Sequence, residues 1–178
     1  MNFKFLEMKL IRSILLLIAC ALFGSCELKR EMSSINPTNW DKRAANISQL
    51  NNHESGKTFL SVYSQIYSRS EHKTHDLTVT VSMRNPNPTD TVYIEKAEYF
   101  DNHGISVRTY FDKPIYLAPM ETAEIIIDER DKAGGTGANF LFNWKIKETS
   151  NTPFFEAIMI STSGQQGISF TTQGIELN

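Results

Sequence analysis

Two stretches of this chain carry an apolar residue at every second position, and they limit what the rest can fold into. In residues 76–84, DLTVTVSMR, the apolar side is Leu77, Val79, Val81 and Met83, and Thr78, Thr80, Ser82 and Arg84 fall opposite. In residues 140–147, FLFNWKIK, Phe140, Phe142, Trp144 and Ile146 form the apolar side. Successive side chains of a strand point to opposite faces, so a period of two describes strands with one face buried. Further strands are expected at residues 58–67, 91–99, 105–111, 122–128, 154–161 and 167–172. The punctuation between them agrees. NPNPTD (85–90) is a loop, because each proline lacks an N–H and biases its predecessor to an extended conformation. DNHG (101–104) reads as a hairpin turn, and Pro119 in LAPMET interrupts a ladder just before a strand. About eight short strands with such spacing predict an all-β chain, a single antiparallel β-sandwich of the immunoglobulin-like or Greek-key type. Its two inward faces account for an aromatic content of 11% without any ligand.

The first residues are a different object. Lys9 and Arg12 precede ILLLIACALF (14–23), a run too short to span a bilayer. A basic start, a short apolar run and then small residues is the layout of a secretory signal. Met8 gives a cleaner basic start than Met1, whose segment includes Glu7. Gly24 and Ser25 lead to Cys26, which resembles a bacterial lipoprotein signal, in which the cysteine is acylated and becomes the new N-terminus. LIAC, ending at Cys20, is the alternative. Cleavage there leaves only Ile14–Ala19 as the apolar run and places Ala21, Leu22 and Phe23 on the mature protein, so Cys26 is favoured. With cleavage after Ser25, Cys26 is the one cysteine left and serves as an anchor, not as a nucleophile or metal ligand.

The expected organisation is a lipoprotein signal peptide at 1–25, an acylated cysteine with a polar tether at 26–55, and a β-sandwich domain at 56–178. The tether has no regular period; a short helix at 40–50 is one expectation, and docking of the isolated Trp40 on the domain is another. Removing residues 1–25 takes away Lys4, Lys9, Arg12 and Glu7. That leaves 15 basic and 19 acidic residues of the 18 and 20 in the whole chain. The mature chain is mildly acidic with no basic block, which argues against nucleic acid as a partner.

Several segments together resemble a family of secreted bacterial proteins known as domain of unknown function 3124. They are VYSQIY, LTVTVSMRN, YFDNHG, YLAPMETAE, DKAGGTGANF, PFFEAIMI and QGISF, spread over residues 56–175, with 134–140 and 166–170 the most specific. The resemblance implies a leader of the kind read above and brings no activity.

The glycine-rich loop carries the main chemical question. Asp131, Gly134, Gly135, Gly137 and Asn139, with the later Gln166, are the candidate ligand or turn residues. A phosphate loop requires a Lys-Ser or Lys-Thr and a helix after the last glycine, whereas ANFLFNWKIK reads as a strand. Asp128, Glu129 and Asp131 lack the alternation of an EF-hand. Gly134, Gly135 and Gly137 permit a tight turn between strands, whose amides are also able to form an anion nest. In HKTH, His72 and His75 are expected in a solvated loop, short of the three ligands of a catalytic zinc site. No serine sits in a nucleophile elbow. Glu95 with Glu98 and Glu121 with Glu124 read as surface carboxylates. Residues 58–67 are apolar on both faces, with Phe59, Tyr63 and Tyr67 on one.

The expectation is therefore a lipid-anchored protein of the bacterial cell envelope, more in keeping with the outer than the inner membrane. It carries no cofactor, no metal and no catalytic residues, its acyl chains (palmitate) bind the membrane, and its sandwich binds an envelope protein or small ligand or serves envelope structure. The competing expectation is an envelope enzyme, or a metal- or anion-dependent ligand binder, with its site at 131–139.

Overall fold

Strand β9 (Ala138–Lys147) organises the larger of two sheets. Its inward residues Phe140, Phe142, Trp144 and Ile146 are all buried, and it pairs antiparallel with β1 (His53–Val62) on one side and β5 (Val92–Phe100) on the other. The computed structural model describes residues 40–48, 50, 52–162 and 167–178. The leader, Cys20, Cys26, the first part of the tether and Gln166 lie outside the described residues.

Twelve strands are described. Besides these three they include β2 (Gln65–Ser68), β3 (Ser70–Asp76), β4 (Thr78–Arg84), β6 (Ser106–Thr109) and β7 (Ile115–Leu117). The others are β8 (Thr122–Ile127), β10 (Phe154–Ser161), β11 (Ile168–Gln173) and β12 (Ile175–Leu177). The larger sheet runs β12-β1-β9-β5-β6, with β7 also on β5; the smaller runs β11-β10-β4-β8; β2 and β3 form a separate hairpin. Every strand pairing among the described residues is antiparallel. The chain is an all-β sandwich, with more strands than the eight expected. The reasons are local. The expected strand 58–67 breaks at Tyr63–Ser64 into β1 and β2, the polar β3 has no apolar face, and β7 and β12 are too short to show a period.

The sheets meet through aromatic rings. Phe142 of β9 stacks on Phe155 of β10 at 4.3 Å between centroids, and Phe140 follows Phe142 at 5.3 Å with nearly parallel planes. Tyr99 and Tyr110 close on Phe140 at 4.9 and 5.6 Å. Leu77, Val79, Val81 and Met83 of the β4 edge of this core are fully buried, as their alternation requires. Trp144 lies over Gly56, its cross-strand partner, and donates its indole N–H to Thr58 Oγ1 at 2.9 Å. A side chain at position 56 would collide with that ring. The last connection turns at Gly174, whose N–H bonds Phe155 O at 2.8 Å; a Cβ there would meet Thr58 and Phe155. This close passage carries the chain from the smaller sheet to the edge of the larger.

One end of the sandwich is pinned by buried asparagines. Asn85 and Asn87 are 2% and 3% exposed. Asn85 Nδ2 donates to the carbonyls of Asp90, Leu117 and Ala118, and Asn87 takes the Asn151 amide on its Oδ1 at 2.7 Å. Three loops are thereby held by two side chains. At the neighbouring turn, Glu121 N bonds Ala118 O, with Pro119 and then Met120 at φ 60°. That is the arrangement of a type II turn, which ordinarily prefers glycine at the third position.

Truncating Phe142 to alanine removes the ring that joins the sheets and is expected to cost about 3–5 kcal/mol in urea unfolding. Asn87→Ala takes the acceptor from the part-buried Asn151 amide and a donor from the buried Asn85 Oδ1, and is expected to cost about 1–3 kcal/mol.

Candidate functional site

The glycine-rich loop connects β8 to β9. Aspartate and glycine dominate it because it has to turn sharply and then fasten itself. Asp131 is 3% exposed; its Oδ2 accepts from Arg108 Nη1 at 2.8 Å and its Oδ1 from the Ala133 amide at 3.2 Å. The same Arg108 nitrogen donates to Tyr110 Oη at 3.1 Å, and the guanidinium sits 5.6 Å from the Tyr110 ring centre. Gly135 has φ 68°, donates to Lys132 O, and accepts from both the Gln65 amide and Ser64 Oγ at 3.1 Å. Lys132 pairs with Asp76 at 2.8 Å. The loop thus ties β6, the β1–β2 connection and the end of β3 together.

The three glycines do different work. Gly134 is buried against the Tyr99 hydroxyl, so no side chain fits. Gly135 occupies the left-handed region, where L-residues are strained. Gly137 has neither demand, with only Asn102 Cβ near at 3.6 Å from the position of an added Cβ. Tyr99 is fully buried, and that burial raises its phenol well above the ordinary tyrosine range. Asn139 is not in the turn; it is the second residue of β9, half-buried opposite Ser61 and Phe100. A strand follows the glycines, so the helix terminus of a phosphate loop has no counterpart here.

The other chemical candidates are also dispersed. His72 and His75 lie in strand β3, not in a loop, and a separation of three places them on opposite faces. Among the described residues no group of three or more His, Cys, Asp or Glu is placed to hold a metal. Glu98 is not a free carboxylate: it pairs with Lys96 at 2.5 Å and accepts from Ser106 at 2.7 Å. Both bonds hold it below the usual carboxylate range.

The docked tether was legible only through Trp40. Trp40 is 7% exposed and packs on Phe111 at 5.3 Å. The helical conformation ends at Asp41, so no helix continues to residue 50; instead Ala44 forms an antiparallel bridge with Ile115. Tyr116 N donates to Arg43 O, and Ala45 N to Pro114 O. Arg43 Nη1 then reaches Glu121 Oε1 at 2.7 Å, while Glu121 Oε2 accepts the Ala118 amide at 2.7 Å. Burial pushes the Glu121 carboxyl up, but the Ala118 amide and Arg43 outweigh it and hold the group low. Between this strap and β8 is a groove of about 470 Å³, with Trp40, Lys42, Arg43, Tyr116 and Glu124 in its walls. Its walls offer aromatic surface and charges of both signs, a lining suited to holding a polar ligand.

Gly135→Val is expected to lower the melting temperature, by about 1–2 kcal/mol of stability, through left-handed strain; Gly137→Val should leave it nearly unchanged. Asp76, Glu98 and Glu121 all have lowered carboxyl pKa values in the fold, Asp76 chiefly through Lys132. Their stabilisation is complete above the unfolded values near about 4 and is lost as pH falls through the folded values. Urea midpoints should therefore decline as pH drops below about 4.5, and Glu121→Gln should flatten that decline.

Comparison with curated proteins finds no match. Among solved structures, the crystal structure of Thermotoga maritima 1070 is similar, with a TM-score of 0.45 and 11% identity over 67% of this chain and 92% of that one. Residues 55–177 match the profile described as Protein of unknown function (DUF3124). Covering most of the chain and nearly all of the sandwich, that match places the protein as a member of the DUF3124 family.

Proposed function

We propose that this protein is a lipid-anchored binding module of the bacterial cell envelope, acylated at Cys26, whose sandwich acts without catalysis. The observation that carries the reading is the strap at 40–45, which fastens the tether to the edge of β7. Only 14 residues then separate the anchor cysteine from Trp40, against 29 to the expected end of the tether at residue 55. An extended chain gains at most about 3.3–3.6 Å per residue, so the domain stays within roughly 50 Å of the lipid. A short leash fits a protein that works beside its membrane, and the leader supplies the means of attachment. The loop at 131–139 supports this reading too, since Asp131 and the Gly135 carbonyl are engaged in bracing the fold.

Cells supplied with a clickable fatty acid should label the wild-type chain and the Cys20→Ser variant, and Cys26→Ser should lose the label. Labelling that persists in Cys26→Ser and disappears in Cys20→Ser moves the anchor to Cys20; labelling of neither wild type nor variants ends the anchored reading.

A further inference from the structure

The two outer faces of the sandwich differ sharply in charge. The smaller sheet, β4, β8, β10 and β11, contains no lysine at all; its outward charges are Arg84, Glu124 and Glu156, with Arg84 and Glu156 paired at 3.5 Å. The larger sheet carries Lys57, Lys96, Lys145 and Lys147 at outward positions of β1, β5 and β9. Lys96 and Lys147 have acidic partners in Glu98 and Asp90. Lys57 and Lys145 are in no ion pair among the described residues.

Register places apolar side chains directly beside these lysines. Ile175, Phe59 and Leu141 form an apolar row across β12, β1 and β9 that ends on β5 at Glu98, the partner of Lys96. The next row is Leu177, Lys57, Asn143 and Lys96; beyond it come Ser55, Lys145, Tyr93 and Tyr116. Ile175 is 64% exposed and Leu177 43%, on a strand of three residues whose side chains are all exposed. Exposed aliphatic groups, long lysine stems and tyrosines on one face are the chemistry of a membrane interface. We infer that the outer face of the larger sheet docks on an anionic phospholipid bilayer.

Charge decides among the occupants. A second copy meeting this face about a two-fold axis would bring Lys57 and Lys145, diagonal neighbours in the sheet, against their own equivalents. An anionic headgroup layer instead attracts each lysine near its surface and accepts the aliphatic tips at its acyl boundary. The strap at 43–45 joins the edge of this same sheet, next to Tyr116. The inference rests on the anchored reading for its effective concentration: a tethered face adsorbs even with affinity in the millimolar range.

The test is lysine acetylation, read residue by residue by mass spectrometry, on the full chain isolated from cells with its lipid. The chain is reconstituted in vesicles of phosphatidylethanolamine and phosphatidylglycerol, and separately in phosphatidylcholine. On the anionic vesicles, labelling of Lys57 and Lys145 should fall several-fold while the exposed Lys73 of β3 is unchanged. Raising salt to about 1 M, where the Debye length is about 3 Å, should restore it. In the Lys57→Glu/Lys145→Glu chain, Lys96 and Lys147 should lose their protection. Uniform labelling of a chain that still floats with the vesicles overturns the docking face and leaves the anchor standing. Protection that appears without vesicles and grows with protein concentration assigns the face to a second copy and likewise overturns it. Selective protection on anionic vesicles by a chain whose Cys26 carries no acyl group upholds the face and removes the anchor.

Discussion

The contact of Phe142 with Phe155 is the one on which the rest of the fold depends. It is the ring pair that joins the central strand of the larger sheet to the smaller sheet, and both rings are buried to within 1%. Each sheet alone would expose a full apolar face, so neither is stable until the other covers it. The column extends through Phe140 to Tyr99 and Tyr110, and it ends where the phenol of Tyr99 meets Gly134. The glycine-rich loop is thus the lid of the aromatic core. Its lack of side chains is a packing requirement at Gly134 and a backbone requirement at Gly135.

What was legible in the sequence follows from how much burial each segment has to encode. β4 and β9 have one face wholly buried, so apolar residues recur at every second position and all of these are buried, although Ser82 on the other side of β4 is buried too. β3 is polar because it belongs to a hairpin off the main sheets, and its sequence, SEHKTHD, carries no apolar face to reveal it. β7 and β12 have three residues each, too few for a period. Of the candidate loop, the closed turn was legible because glycines before a strand have few other uses. The distinct roles of its three glycines were not, since φ and Cβ contacts depend on Tyr99 and Asn102, which come from elsewhere in the chain. The pinning by Asn85 and Asn87 was hidden for the same reason: an NPNP loop reads as surface, and only its three-loop hydrogen bonding makes it interior.

The strap at 40–45 shows how a polar segment ahead of the sandwich becomes part of it. Trp40 buries a large ring, Ala44 adds a bridge to an otherwise short edge strand, and Arg43 meets a carboxylate already oriented by the Ala118 amide. Each contact alone is modest, because a part-exposed ion pair contributes about 0–1 kcal/mol. Together they cover the edge formed by β7, which removes an aggregation-prone row of free backbone groups.

That arrangement also separates the duties of the molecule's surfaces. The loop ends are consumed by bracing, one by the buried asparagines and the other by Asp131, Arg108 and Gly135. The sheet faces are unlike: threonines, isoleucines and two glutamates on one side, four lysines with Glu98 and an apolar row on the other. On the anchored reading proposed above, a domain on a short leash would meet its membrane with whichever face is least costly to bring close. Acidic residues near an anionic surface are repelled, whereas unpaired lysines are drawn in. In that proposal the difference between the two sheets would set the orientation, and the face left outward would be the one with Thr78, Thr80, Ile158 and Thr171.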